Sequence, residues 1–293
     1  MPPLGVFFGS WSFDPWALAL LLFAGALYGV GLVRSSRIGK RPPLWRILSF
    51  YVLGLGSYAF INFGFLGTYS PELRWAFSVR IALMLFVVPS GMALGLPIGL
   101  ARDALRPGKV RNTLIRWGRW PMKFFSNTAV APVVGLVVLS MFLTPLAGIT
   151  RITPWAEGSL TILIPLLGLL LILPITEERT RTSSALIMLQ FVFAFIELLA
   201  DAIPGIVLRI NDHVLDGVAF ASGAHPGWFP NPLRDQQIAG DWLWFIAEAA
   251  DLPIMILMFV RFSKTDKGER KVLDEMTDDE MDALNEAHLR LRA

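Results

Sequence analysis

Seven stretches of this chain are long and apolar enough to cross a bilayer, and that leaves few folds open to it. A crossing helix takes about 20 mostly apolar residues, because a hydrocarbon core about 30 Å thick is climbed at about 1.5 Å per residue. The stretches cover about 15–33, 47–67, 78–101, 124–147, 158–176, 182–208 and 241–262. None alternates apolar and polar residues with period two. Strands, and a membrane barrel with its alternating segments of about 10 residues, are therefore set aside. Charged residues make up 17% of the chain, against about 25% in a typical soluble domain.

The expected fold is all-α: a polytopic integral membrane protein with seven transmembrane helices over residues 1–262, and a charged cytoplasmic tail over 263–293. In the tail, Thr277 and Glu280 read as a capping box that opens a short helix to about Leu291. Pro89, Pro97, Pro132, Pro165, Pro204 and Pro253 lie inside the stretches. Neighbouring helices in a membrane can satisfy the carbonyls that proline frees, so kinks are expected there, not ends. Met1–Phe13 lacks a basic region, so no cleavable signal is expected.

The basic residues orient the bundle. Of the 26 Lys and Arg residues, 21 fall in the segments 34–46, 102–123, 177–181 and the stretch after Phe259. Arg74, Arg151, Arg209 and Arg234 fall on the opposite side, and Arg80 lies inside a span. Cytoplasmic loops carry the excess of Lys and Arg, so the N-terminus is expected outside and the C-terminus in the cytoplasm of a bacterial-type plasma membrane. Basic residues placed this way flank a membrane and face anionic lipid. No nucleic-acid partner is expected, despite an isoelectric point near 9.4.

Several chemistries are excluded by residue type. The chain has no Cys, which removes catalytic thiols, zinc thiolates and iron–sulfur clusters. No stretch contains a His or, in its interior, a Lys, so neither histidine-ligated haem nor a retinal Schiff base fits within the membrane. No phosphate-binding loop and no nucleophile elbow occur, and no enzyme is predicted. His213 and His225, in the long 209–240 loop, are the candidates for a metal ligand. The methionines read as core filler.

Ionisable residues inside a membrane are costly and need a reason. Arg80, Glu197, Asp201, Asp241 and Glu248 fall on the outer half of three helices under the expected orientation, and Asp251 near the middle of the last. They are expected to form one outward-facing polar cluster, with Arg80 paired to Glu197 or Asp201, in which an ion-pair network and a functional cavity remain equal alternatives. The string from Asp235 to Gly240 opens the last stretch: Asp235 suits a helix start, and Ala239 and Gly240 suit close helix packing.

Three strings carry a resemblance. They are Trp11-Ser12-Phe13-Asp14-Pro15-Trp16, then Pro89-Ser90-Gly91-Met92-Ala93-Leu94-Gly95-Leu96-Pro97, then the block Asp235, Gln236, Gln237, Ile238, Ala239, Gly240, Asp241, Trp242, Leu243, Trp244 with Glu248 and Pro253 in register. Over most of residues 11–270 the chain resembles the cytochrome c oxidase assembly factor CtaG family. The resemblance implies a role in biogenesis of a respiratory oxidase, with oxidase subunits and the lipid bilayer as partners and copper as cargo. The family's histidines are missing: Phe77-Ser78-Val79-Arg80-Ile81, Phe142-Leu143-Thr144-Pro145 and Glu157-Gly158-Ser159-Leu160 stand where it carries them. No imidazole copper site is carried over, and no cofactor is assigned. The alternative functions are a non-catalytic integral subunit that stabilises a larger membrane complex, and a small-solute carrier using the acids near Glu197 and Glu248.

Overall fold

The computed structural model describes residues 2–105, 108–125, 127, 129–177, 184–217 and 227–274, and among them every regular element is a helix. A short α1 (Leu4–Gly9) leads into α2 (Pro15–Arg37). Asp14 starts α2: its Oδ1 accepts from the backbone N–H of Trp16 at 2.9 Å and of Ala17 at 3.1 Å, with Pro15 in the first helical position. The second crossing runs from Leu44 to Tyr69 and is not one regular helix. It comprises α3 (Leu44–Leu48), a π-helical segment (Ser49–Gly56), α4 (Ser57–Phe63) and α5 (Phe65–Tyr69).

Next comes α6 (Arg74–Leu94), the centre of the bundle: 72% of its apolar window is buried, against 11% for α2. It packs against α11 (Pro154–Glu177), α13 (Pro232–Asp274) and the π-helical segment. The approach to the π segment is backbone to backbone. A Cβ on Gly91 would fall 2.6 Å from the nitrogen of Gly54, so both helices need glycine here. Ser49 seals the contact by donating to the carbonyl of Gly91 at 3.0 Å.

Pro89, Pro165, Pro204 and Pro253 lie inside helices, but Pro97 does not behave as expected. Leu96 takes a left-handed conformation (φ 49°), α6 ends before it, and Pro97 opens a new helix, α7 (Pro97–Ala104). A proline at the first position of a helix loses no hydrogen bond, which makes this an end and a restart. The expected 102–123 loop also contains regular structure, the helix α8 (Lys109–Phe125).

The fourth expected stretch is broken. α9 (Val130–Ser140) and a 3₁₀ turn (Met141–Leu143) meet α10 (Pro145–Ile152) at a bend of 82°. Thr144 is extended, as residues before proline are, and its Oγ1 accepts from Leu146 N at 3.3 Å. Among the described residues six helices are long and apolar enough to cross a membrane, and the bent pair makes a seventh crossing only if it counts as one span. They make the chain an integral membrane protein.

The closing pair is α12 (Ser184–Ile210) with α13. Gly205 and Gly240 bring their backbones together: a Cβ on Gly240 would lie 2.4 Å from the carbonyl oxygen of Gly205. α13 continues to Asp274 with no break at residues 262–263. The helix expected from Thr277 lies outside the described residues.

Candidate functional site

Three groups of ionisable side chains sit in or at the ends of the bundle, and they differ in how their charge is met. The first surrounds Arg80, at the end of the second turn of α6 and 2% exposed. Its Nε donates to Asn62 Oδ1 at 3.0 Å, one Nη to Glu157 Oε1, and the other to Thr161 Oγ1 at 2.8 Å and Asp14 Oδ2 at 3.2 Å. Tyr58 donates to the carbonyl of Thr161 at 3.1 Å and closes the inner side. The pairing of Arg80 with Glu197 or Asp201 is thus replaced by Asp14 and Glu157. Both acids occupy helix starts, Asp14 capping α2 and Glu157 in the first turn of α11, where a negative charge also suits the helix dipole.

The second group is built by the Asp235 block. Asp235 stands in the first turn of α13, but its carboxylate caps a different helix. Oδ2 accepts from Arg74 N at 2.8 Å and Oδ1 from Trp75 N at 2.9 Å, the opening amides of α6. Beside it, Arg74 and Arg151 are 2% and 1% exposed. Both reach Oδ2 of the buried Asp216, Arg74 at 3.5 Å and Arg151 at 3.3 Å. Arg74 also donates to Gln236 Oε1 and, at 3.1 Å, to the carbonyl of Phe142. Arg151 donates to the carbonyls of Pro71 and Glu72 at 3.2 and 3.0 Å. Gln236 holds the 211–217 segment: it accepts from Leu215 N at 2.9 Å and donates to the carbonyl of His213 at 2.9 Å. The bend at Thr144–Pro145 now has a purpose, since α10 is what delivers Arg151 to this network.

The third group is acidic. Glu197 is half-buried, Asp201 fully buried, and Asp251 is 7% exposed; each lies within electrostatic reach of another carboxylate. Neither oxygen of Asp201 has a hydrogen-bond partner, nor has Oδ2 of Asp251. Asp201 lies against Gly135 of α9, where a Cβ would sit 2.9 Å from Oδ2. Glu248 accepts from Trp244 Nε1 one turn earlier. Asp241 pairs with Arg209 at 3.0 Å on the exposed rim, and Gln237 accepts from Arg234 there at 3.3 Å.

The expected single cluster is therefore divided. Arg80 belongs with Asp14 and Glu157, Asp241 belongs to the rim, and Glu197, Asp201, Glu248 and Asp251 share the α12–α13 pair. Arg74, Arg151, Asp216, Asp14 and Glu157 had not been singled out. The signal was present: on a side with only four basic residues, two of them, Arg74 and Arg151, stand at the edges of apolar stretches.

The sequence profile of the cytochrome c oxidase caa3 assembly factor family (Caa3_CtaG) matches residues 26–265. The chain belongs to this family. No curated protein and no solved structure matches it. The caa3 assembly factor match takes in Arg80, the Arg74–Asp216–Arg151 network and the acids of α12 and α13, and it leaves Asp14 outside.

Copper, the cargo the resemblance implied, finds no fitting donor set among the described residues. Metals of this kind favour imidazole or clustered sulfur. His213 is exposed, His225 lies outside the described residues, and Met84 and Met92 are buried in the apolar core. No group of three or more His, Asp or Glu among the described residues has a metal-holding arrangement.

Proposed function

We propose that this protein is a non-catalytic, membrane-embedded assembly factor for a respiratory cytochrome c oxidase, acting in a bacterial-type plasma membrane without an imidazole copper site of its own. The observation that carries it is the family match, which runs through every crossing helix except the first turns of α2 and the last residues of α13. The geometry supports the same reading. Arg80 and the Arg74–Asp216–Arg151 network are occupied by partners within the chain, so they fix helices in place and present no reactive constellation. What such a scaffold offers a nascent subunit is a rigid face inside the bilayer.

The basic segments 34–46 and 102–123 support a cytoplasmic placement of that end of the bundle. The bilayer and the oxidase subunits are then the partners. The decisive experiment removes the chain and follows the oxidase by its haem absorbance, its copper content and the steady-state level of its subunits. Loss of assembled oxidase, restored by re-expression, is the expected result. Unchanged oxidase would overturn the proposal. Recovery of the chain at fixed stoichiometry with the mature oxidase would favour the resident-subunit alternative.

A further inference from the structure

The segment between α7 and α9 was expected to be a loop, and the helix found there has a surface that the bundle does not use. Within α8 there are five basic residues, Lys109, Arg111, Arg116, Arg119 and Lys123, and no acid. Lys109, Arg116 and Lys123 recur every seven residues, so the helix stacks them on one face, and all three are exposed. Asn112 and Thr113 are exposed along the same stretch. Towards the end of the helix two aromatic rings join them: Trp120 is 75% exposed and Phe124 49% exposed, with their rings stacked 6.0 Å apart at 15°. Met122 and Phe125 are half-buried. Among the described residues α8 packs mainly against α11 and α9, and it is not among the helices apolar enough to cross.

Two further observations say what faces it. First, α8 lies at the basic end of the bundle. Lys40, in the loop after α2, pairs with Asp103 of α7 at 2.8 Å, so the segment holding Arg34, Arg37 and Arg41 is tied to the helix that precedes α8. Second, Phe124 lies six residues before Val130, where the apolar α9 begins. The Trp120–Phe124 pair is therefore placed near the depth at which the chain enters hydrocarbon.

We propose that α8 is an in-plane helix that binds anionic phospholipid on the leaflet facing the basic end of the bundle. Lys109, Arg116 and Lys123 would engage the headgroup phosphates, and Trp120 and Phe124 would insert at the interface. The physics is that of interfacial helices, in which apolar burial and attraction to anionic lipid add. An acidic protein segment would answer the cations, but it would leave an exposed aromatic pair beside the start of a membrane helix without a use.

The absence of Cys makes the test clean, because one introduced cysteine gives one label. The full chain carrying Trp120→Cys, and separately Thr113→Cys, is spin-labelled. It is then placed in nanodiscs of phosphatidylcholine alone or with phosphatidylglycerol. Accessibility to oxygen, which partitions into lipid, is compared with accessibility to a water-soluble nickel chelate. The expected result is a lipid-accessible label at both positions, since 113 lies seven residues before 120 on the same face of α8, with both shifted deeper by phosphatidylglycerol. The unlabelled chain should enrich phosphatidylglycerol from mixed lipid, and each of Lys109→Gln, Arg116→Gln and Lys123→Gln should weaken that preference about fivefold. A label at 120 that stays in water in both lipids would overturn the proposal and leave the face open to an acidic protein. Equal uptake of both lipids by the unaltered chain would overturn it too. If a glutamine variant fails to fold, the two labelled positions decide alone.

Discussion

Asp216 and Asp201 are two fully buried aspartates in one chain, and they are held in opposite ways. Asp216 is reached by two guanidiniums, which are themselves hydrogen-bonded to the carbonyls of Phe142, Pro71 and Glu72. Asp201 has no hydrogen-bond partner on either oxygen, and the groups near it are other carboxylates. The first arrangement is one in which each charge is needed by the others. The second is one in which no part of the surrounding structure depends on the charge. Burial alone therefore does not reveal whether an aspartate stabilises a membrane bundle; the identity of its neighbours does.

The comparison is broken most severely by Asp216→Asn. Removing that charge leaves Arg74 and Arg151 buried without their shared counter-ion, and breaking a buried pair typically costs about 3–5 kcal/mol. Thermal unfolding in detergent should fall sharply, with the 211–217 segment released to protease. A melting temperature like that of the unaltered chain would mean the network is ornamental. Next in size is Gly240→Leu. Its side chain would have to occupy the space where a Cβ already meets the Gly205 carbonyl at 2.4 Å. Overpacking of this kind costs about 1–3 kcal/mol, read as separation of α12 from α13 by cross-linking or by a lower melting temperature. Asp235→Asn should cost less, about 1–2 kcal/mol, because one capping acceptor for α6 survives while the charge is lost.

How much of this was legible in the sequence depends on the range of the interaction. Local devices were readable: Asp235 near a helix start, small residues at Ala239 and Gly240, apolar stretches of crossing length. Arg80 could be recognised as an intramembrane cation in need of a partner. Its partners could not be named, because Asp14 and Glu157 stand 66 and 77 residues away and only the packing of α2, α6 and α11 brings them together. For the same reason Asp235 was expected to serve its own helix and instead caps α6, 160 residues away. The breaks at Thr144–Pro145 and Leu96–Pro97 were misjudged because hydropathy is blind to direction. Both are a capping or left-handed residue followed by proline, a signal of backbone geometry that an apolar count averages away. The amphipathic α8 was missed in the converse way, since its charge placed it among the loops.

The smallest expected effect is also the sharpest test of the comparison. Asp201→Asn is the same chemical change as Asp216→Asn, made at a position of equal burial, so side-chain size and shape cancel between the two. At 201 no guanidinium is orphaned, and an acid whose oxygens have no hydrogen-bond partner is exchanged for an amide of the same shape. Burial among Asp251 and Glu197 disfavours a charge at 201 in the first place, so the amide replaces a group whose charge does nothing to hold the fold. The expected change in stability is within about 1 kcal/mol of zero and towards greater stability. Both variants are to be melted side by side in the same detergent. If Asp201→Asn loses as much stability as Asp216→Asn, the carboxylate at 201 is held by something the chain alone does not supply, and oxidase levels in cells carrying this variant become the next quantity to measure. If it melts at or above the unaltered chain, the α12–α13 acids are not part of what folds the bundle.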